Sequence, residues 1–247
     1  MDLNADIGEG ETLEDLDRDQ QLLEVITSAN IACGGHAGEP QFLVPILETA
    51  LSNNIVIGAH VSYPDKENFG RKEIGASPTQ IYDFTIAQID FLNQLTEDTN
   101  TTIAYIKPHG ALYHRIAKDS NASKAFLKAI ASYNRPLALL TLPNSVIRNM
   151  LIDNVSIYTE CFADRAYYSN GSLVERDKEG AVISNQKDVI NRAISLANGY
   201  VESINGQIIQ IKADSMCLHS DTLGAVVLAK AITNTLKENN ISIKAFI

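Results

Sequence analysis

Short apolar runs alternate with longer helical patterns along almost the whole chain. The runs "DLNADI", "ITSANIA", "NNIVIGAH", "TTIAYIK", "PLALLTL", "VSIYTECF" and "GQIIQIKAD" read as seven strands. Between them, "PQFLVPILETALSNN" places Phe42, Ile46 and Ala50 on one helical face, with Pro40 suited to a first helical position. "SPTQIYDFTIAQIDFLNQL" opens with Ser77 as N-cap and Pro78 at N1. "NQKDVINRAISLAN" and "DTLGAVVLAKAITNTLK" follow the last two runs as helices. Strands that take turns with helices must run parallel, because only a crossover connection returns the chain to the same end of the sheet. Seven units in 247 residues predict an α/β fold, a (β/α) barrel with about seven parallel strands. An open doubly wound sheet is the alternative. The chain shows no linker and no repeat, so residues 1–247 are expected to form a single (β/α)-barrel domain. Residues 164–184 interrupt the rhythm, and Asn170-Gly171 within them signals a hairpin turn beside the strand ends.

Side chains alternate across a strand, so parity sorts the polar groups. Asn4 and Asp6 share a face of the first run, as do Tyr105, Lys107 and His109 in the fourth. Ser156, Tyr158 and Glu160 do so in the sixth, and Gln210, Lys212 and Asp214 in the seventh. Most of the five histidines follow short apolar runs: His36, His60, His109 and His219. In a parallel barrel the carboxyl ends of the strands meet at one mouth, where active sites are built. Residues scattered in sequence are therefore expected to gather there: Asp6, His36, His60, Lys107, His109 and Glu160 should line one cavity. A single strand-end histidine is most often only a polar group where the chain leaves the core. Four of them with Asp6, Lys107, Glu160 and Asp214 carry more weight, since buried polar groups are costly without partners. His114, past the turn in "GALYH", reads as structural.

Composition narrows the function. A formal net charge of −10 with no basic tract opposes binding to nucleic-acid phosphates. No apolar run is long enough to span a membrane, and "MDLNADIGEG" lacks the features of a signal peptide. Three widely spaced cysteines, Cys33, Cys161 and Cys217, suit a reducing cytoplasm, and the absence of a CxxC pair argues against structural zinc.

Other segments have two readings. Gly34, Gly35 and Gly38 before a helix suit either a phosphate cradle or a tight loop, although no GK[ST] occurs. Cys33 beside His36 reads better as a small loop residue than as a nucleophile. "YPDKENFGRKEIG" is either a lid carrying Arg71 and Lys72 or a solvated loop. Asp6 and Glu9 could be a helix-capping pair, and "EGETLEDLDRD" reads as a solvated face.

The segments "DLNADIGEG", "ANIACGGHAGEP", "GAHVSYPDKENFGRKEIG", "IKPHGALYH", "ECFADRAYYSNGSLVERDKEGAVI" and "MCLHSDTLGAV" resemble, in this order, the LamB/YcsF family. The match runs from Leu3 to about Val227. The resemblance implies a barrel similar to the polysaccharide-deacetylase type. It also implies the role of the A subunit in the ATP-dependent 5-oxoprolinase, which opens 5-oxo-L-proline to L-glutamate together with subunits B and C. ATP with Mg would enter through those partner subunits. Ala5, Gly35 and Ser220 depart from the family pattern, changes that bear on substrate preference; Ser220 is expected to narrow the mouth.

Within that chemistry Asp6 and His60 are expected to activate water, and Lys107 and His109 to stabilise the oxyanion or phosphate. Arg71 or Arg165 would hold a carboxylate. Asn4, His36, Glu160, Asp214 and His219 complete the substrate-binding set. Two further classes stay open. One is a metal-dependent deacetylase or amidohydrolase, with a divalent metal on Asp6 with His36, His60 or His109, although no HxH or HExxH spacing is present. The other is a non-catalytic metabolite-binding subunit. The sequence also predicts that Lys107→Met folds normally and loses turnover.

Overall fold

The computed structural model describes residues 1–220, 222 and 224–247. In chain order its elements are β1 (Asp2–Ile7), α1 (Leu13–Leu23), β2 (Ser28–Ala32), α2 (Pro40–Ser52), β3 (Val56–Val61), α3 (Pro78–Asp98), β4 (Ile103–Pro108), α4 (Gly110–Lys118), α5 (Ser120–Ala131), β5 (Leu137–Thr141), β6 (Val155–Phe162), α6 (Gln186–Ala197), β7 (Tyr200–Glu202), β8 (Ile208–Gln210), β9 (Ser215–Leu218) and α7 (Ala225–Glu238). Seven parallel strands close a barrel in the order β1-β2-β3-β4-β5-β6-β9. The sequence reading of a seven-stranded barrel therefore holds.

The seventh barrel strand, however, lies one segment later than the apolar pattern suggests. Residues 208–210 pair antiparallel with 200–202 in a small ribbon outside the barrel. The barrel closes through "SMCL", with Asn4 opposite Cys217 and Glu160 opposite Ser215. Ile208 is exposed, whereas every residue of β9 is buried. Burial on both faces, not β-branched content, marks the barrel strand. The expected capping pair at Asp6 and Glu9 is also replaced. Thr12 caps α1 in a reciprocal box with Asp15, and the acidic run forms that helix. The Ser77 cap with Pro78 is as expected. The helical stretch expected from residue 221 corresponds to α7; positions 221 and 223 lie outside the described residues.

The strands turn their apolar side chains outward. Leu3, Ala5, Ile7, Ala29, Ile31, Ala59 and Val61 belong to the main buried cluster beneath the helices. The alternate residues point inward and are largely polar. Asp2 accepts from the hydroxyls of Ser28 and Ser215. Asn30 donates to Asn4 and Asp6, and the Tyr105 hydroxyl donates to Asn30 at 2.6 Å. The Tyr105 ring lies against Gly58: a Cβ there would meet it at 2.3 Å. Phe246 packs on Tyr105 and Tyr158 and covers the amino-terminal end of the barrel. The opposite end, where the strands finish, is left for chemistry.

Candidate active site

At the carboxyl end of the strands lies a cavity of about 240 Å³. Asp6, Glu9, His60, Lys107, His109 and Tyr113 line it, together with Arg71, Arg165, Arg176 and Glu175. Arg71, Glu175 and Arg176 are exposed, whereas Arg165 is buried. Lys107 is buried among acceptors. Its Nζ lies 2.9 Å from Asp6 Oδ1, 3.2 Å from Glu160 Oε2 and 3.3 Å from Asn4 Oδ1. Burial alone would lower the lysine, but Asp6 and Glu160 override it and hold the ammonium well above its usual range. Burial likewise pushes Asp6 upward, but His60 and Lys107 outweigh it and keep the carboxylate well below its usual range. Both groups are charged at neutral pH.

The inner wall is a histidine cluster. His60 Nδ1 bonds the Lys107 carbonyl at 3.1 Å, and His109 Nε2 bonds the Phe69 carbonyl at 3.0 Å. The other nitrogens, His60 Nε2 and His109 Nδ1, lie 3.0 Å apart. His36 stacks on His109 with ring centroids 3.7 Å apart, and its Nε2 meets Glu9 Oε1 at 2.8 Å. Burial lowers His36 and His109 below the usual imidazole range. Phe69 and Gly70 adopt left-handed backbone, with φ of 54° and 62°. That turn brings the Phe69 carbonyl to His109 and packs Gly70 against His36 and His109. The 63–75 segment is thus pinned along its inner edge, while Arg71 and Lys72 at its tip are exposed.

On the far wall His219 Nδ1 bonds Asp164 Oδ2 at 2.7 Å, and Thr222 donates to the same oxygen. His219 lines the cavity and stacks on Phe162. Arg165 donates to the carbonyls of Val174 and Ala181 within the 164–184 excursion. Burial and the nearby Arg176 cation lower it to about 10. The expected hairpin turn is present, with Tyr167 bridged to Leu173.

The predicted residues therefore separate by depth. Asp6, His60, Lys107, His109, Arg71, Arg165 and His219 reach the cavity. His36, Asn4 and Glu160 do not line it. His36 sits behind His109; Asn4 and Glu160 lie beneath Lys107, with Glu160 also accepting from Tyr113 at 2.7 Å. Parity tells which face they occupy, not how far down. Asp214 is exposed and precedes β9, at the opposite end of the barrel, where it accepts from Thr159. Its misplacement follows from the misassigned seventh strand. His114, read as structural, lines the cavity. Ala5, Gly35 and Ser220 are not among the lining residues. Ser220 is buried and does not narrow the mouth, and a Cβ at Gly35 would strike Gln88 and Ser62. Sequence reasoning passes over Glu9, Asn30, Tyr113, Asp164 and Cys217. Alternation in "SANIA" marks Asn30; Glu9 joins the site only because the chain after β1 folds back over the mouth.

Among the described residues, two groups place ligand atoms within 4.8 Å of one another: Glu9, His36, His60 and His109, and Asp6, Cys217 and His219. The metal set expected from sequence is thus split: His36 and His60 fall in the first group and Asp6 in the second. Cys33 is no nucleophile. Its thiol is buried, bonded to the Ile31 carbonyl, and pushed well up by burial.

A parallel barrel with charged and imidazole groups gathered where its strands end is the architecture of an enzyme of the (β/α)-barrel class. The LamB/YcsF family model matches residues 1–247, and the chain belongs to that family. A 5-oxoprolinase A subunit from Acinetobacter baumannii is 43% identical, the alignment covering all of this chain and 98% of that one. A crystal structure of the lactam utilization protein from Thermus thermophilus superposes with a TM-score of 0.90 at 30% identity, covering 99% of each chain. A polysaccharide deacetylase from Bacillus cereus, at 9% identity, has a TM-score of 0.50, covering 98% of this chain and 89% of that one. That likeness is one of fold. No helix among the described residues is long and apolar enough to cross a membrane.

Proposed function

We propose that this chain is the A subunit of an ATP-dependent 5-oxoprolinase, opening 5-oxo-L-proline to L-glutamate with subunits B and C. The observation that carries the reading is the arrangement of charge in the cavity. Exposed Arg71 and buried Arg165 line the same cavity as the Lys107–Asp6–His60 group. A small ring acid has the matching polarity: its carboxylate suits the arginines, and its lactam carbonyl suits the Lys107 group. The relatives named for this reaction match over essentially their full length.

A lactam is a poor electrophile, and ATP supplies the activation by taking the amide oxygen as a phosphoryl ester. The nucleotide with its Mg is assigned to the partner subunits. The glycine loop here suits no phosphate: the Gly34 amide is engaged by the Ala37 carbonyl, and Gly35 is closed off by Gln88 and Ser62. This chain then directs water. Asp6 and His60, 3.4 Å apart, take its proton as its oxygen bonds to the carbonyl carbon. Lys107 faces the negative charge that builds on oxygen; His109, whose one N–H goes to the Phe69 carbonyl, has no proton to offer there. The C–N bond breaks as the nitrogen takes a proton, which leaves an acyl phosphate; a second water then adds to its carbonyl carbon, and phosphate leaves with the original oxygen to give the carboxylate. His219, held through Nδ1 by Asp164, presents its other nitrogen for the proton transfer to the ring nitrogen.

The test combines the purified chain with its partner subunits and follows glutamate and ADP from 5-oxoproline. Coupled formation of both is expected only in the full mixture, with little turnover by the isolated chain. Rapid ATP-independent ring opening by the isolated chain would overturn the reading and favour an amidohydrolase.

A further inference from the structure

We propose that Glu9, His60 and His109 form a binding site, with one position left open, for one divalent transition-metal ion of the zinc class at the wall of the cavity, and that His36 positions Glu9. Hydrogen-bond bookkeeping at two rings carries the proposal. His60 gives its Nδ1 proton to the Lys107 carbonyl, and His109 gives its Nε2 proton to the Phe69 carbonyl. Neutral imidazole has a single N–H, so both remaining nitrogens carry lone pairs. Those nitrogens lie 3.0 Å apart and face each other. Two lone pairs at this distance repel unless a cation lies between or beside them. The same Glu9 oxygen stands 2.8 Å from His36 Nε2, 3.4 Å from His109 Nδ1 and 3.7 Å from His60 Nε2. His60 Nε2, His109 Nδ1 and this Glu9 oxygen thus face one another, while His36, stacked parallel on His109, aims its own nitrogen at Glu9 instead. Nitrogen ligands about 2.0–2.1 Å from a tetrahedral zinc-class ion stand roughly 3.3 Å from one another, close to the spacings found.

The surroundings suit such an ion. The backbone carbonyls behind His60 and His109 fix ring orientation, as outer partners of metal-binding histidines do. His36 Nε2 donates to Glu9 at 2.8 Å and so holds that carboxylate in place beside the two free nitrogens. Glu9, His60 and His109 line the cavity, so an ion there would meet a bound carbonyl or water. The neighbouring group of Asp6, Cys217 and His219 is a poorer home. The Lys107 ammonium already lies 2.9 Å from Asp6 and 3.1 Å from Cys217 Sγ, and two cations do not share one pocket.

The test uses the intact chain, stripped with a chelator and titrated with Co²⁺, then with Zn²⁺ in competition. One equivalent of Co²⁺ should bind, with the strong visible absorption of a four-coordinate nitrogen–oxygen site and no thiolate charge-transfer band. Glu9→Gln and His109→Ala should each weaken binding by about 10–100-fold or more, and Cys217→Ser should leave it unchanged. Circular dichroism checks each variant; should His109→Ala fail to fold, Glu9→Gln decides alone. A folded wild-type chain without stoichiometric uptake would overturn the site and leave a shared proton between His60 and His109. A thiolate band, or equal binding by folded Glu9→Gln, would also overturn it. Metal uptake is read without the reaction, so the site is tested separately from ring opening; a bound ion would occupy His60 Nε2 and leave Asp6 as the group that takes the proton from water.

Discussion

Replacing Lys107 by methionine removes the only positive group among four buried acceptors. Methionine fills the space, but it leaves Asp6 and Glu160 facing each other's charge in a region 0–5% exposed. The sequence alone suggests a normally folding variant; the buried ion pairs lead us to expect a destabilised one. Breaking a buried ion pair from one side costs about 3–5 kcal/mol, because the remaining charge keeps its desolvation penalty. With a urea dependence of about 3 kcal/mol per molar, the midpoint should fall by roughly 1–1.5 M at pH 7.5. The loss should depend on pH. In the wild type, Asp6 lies below its ordinary 3.8 and Lys107 above its ordinary 10.5, so their contributions persist across the interval between and fail only outside it. Without the lysine, burial acts on Asp6 with one fewer partner to oppose it, so its carboxyl moves up from its wild-type position. Protonation of Asp6 as pH falls then relieves the variant more than the wild type. The deficit against wild type should therefore shrink between pH 7.5 and pH 5, measured by urea unfolding at both. Asp6→Asn added to Lys107→Met should recover part of it. A variant within about 0.5 kcal/mol of wild type at both pH values would refute the view that this lysine neutralises the barrel interior.

Gly58→Ala should destabilise the fold by about 1–3 kcal/mol, since its Cβ would strike the Tyr105 ring; a thermal melt reads it. Asp19 should titrate near 6 rather than 3.8, because burial outweighs the Gly8 amide and Arg18, and carboxyl-carbon NMR would show it. A carboxyl raised in the folded state stabilises the fold as pH falls through about 6. Asp19→Asn should therefore flatten the rise in stability between pH 7 and pH 5. Asp164→Asn should lower turnover of the complete complex by about tenfold or more while leaving the urea midpoint of the chain within about 1 M, because the His219 orientation is lost. Full turnover would remove the dyad from the mechanism.

Much of the fold is readable in advance where one local rule decides the outcome. β1 and β6 begin and end where their apolar runs do, and Ser77 and Pro78 start α3 by capping chemistry alone. β9 is not readable, because "SMCL" owes its strand to the two neighbours that flank it and carries no β-branched residue. "GQIIQ" has the better alternation and none of the burial. The same limit applies to the site. Alternation identifies the inward faces of β1, β4 and β6. Whether an inward group meets the cavity or supports it from below depends on strand stagger, which separates Asp6 and Lys107 from Asn4 and Glu160. Glu9 is hidden for a different reason: acidic residues in a row look solvated until the chain that bears them is seen to turn inward.

The pairing of β1 with β9 also bears on synthesis. Residues 2–5 find their partners only when residues 215–218 have left the ribosome. At 5–20 residues per second that interval is about 10–40 s. Throughout it Asp2, Asn4 and Asp6 lack the final wall of their enclosure, and the nascent sheet exposes an open edge on β1. Such an edge is a template for pairing with other chains. The barrel seam thus marks the interval in which a nascent chain is most open to aggregation, and in which a chaperone shielding the amino-terminal strand would help most.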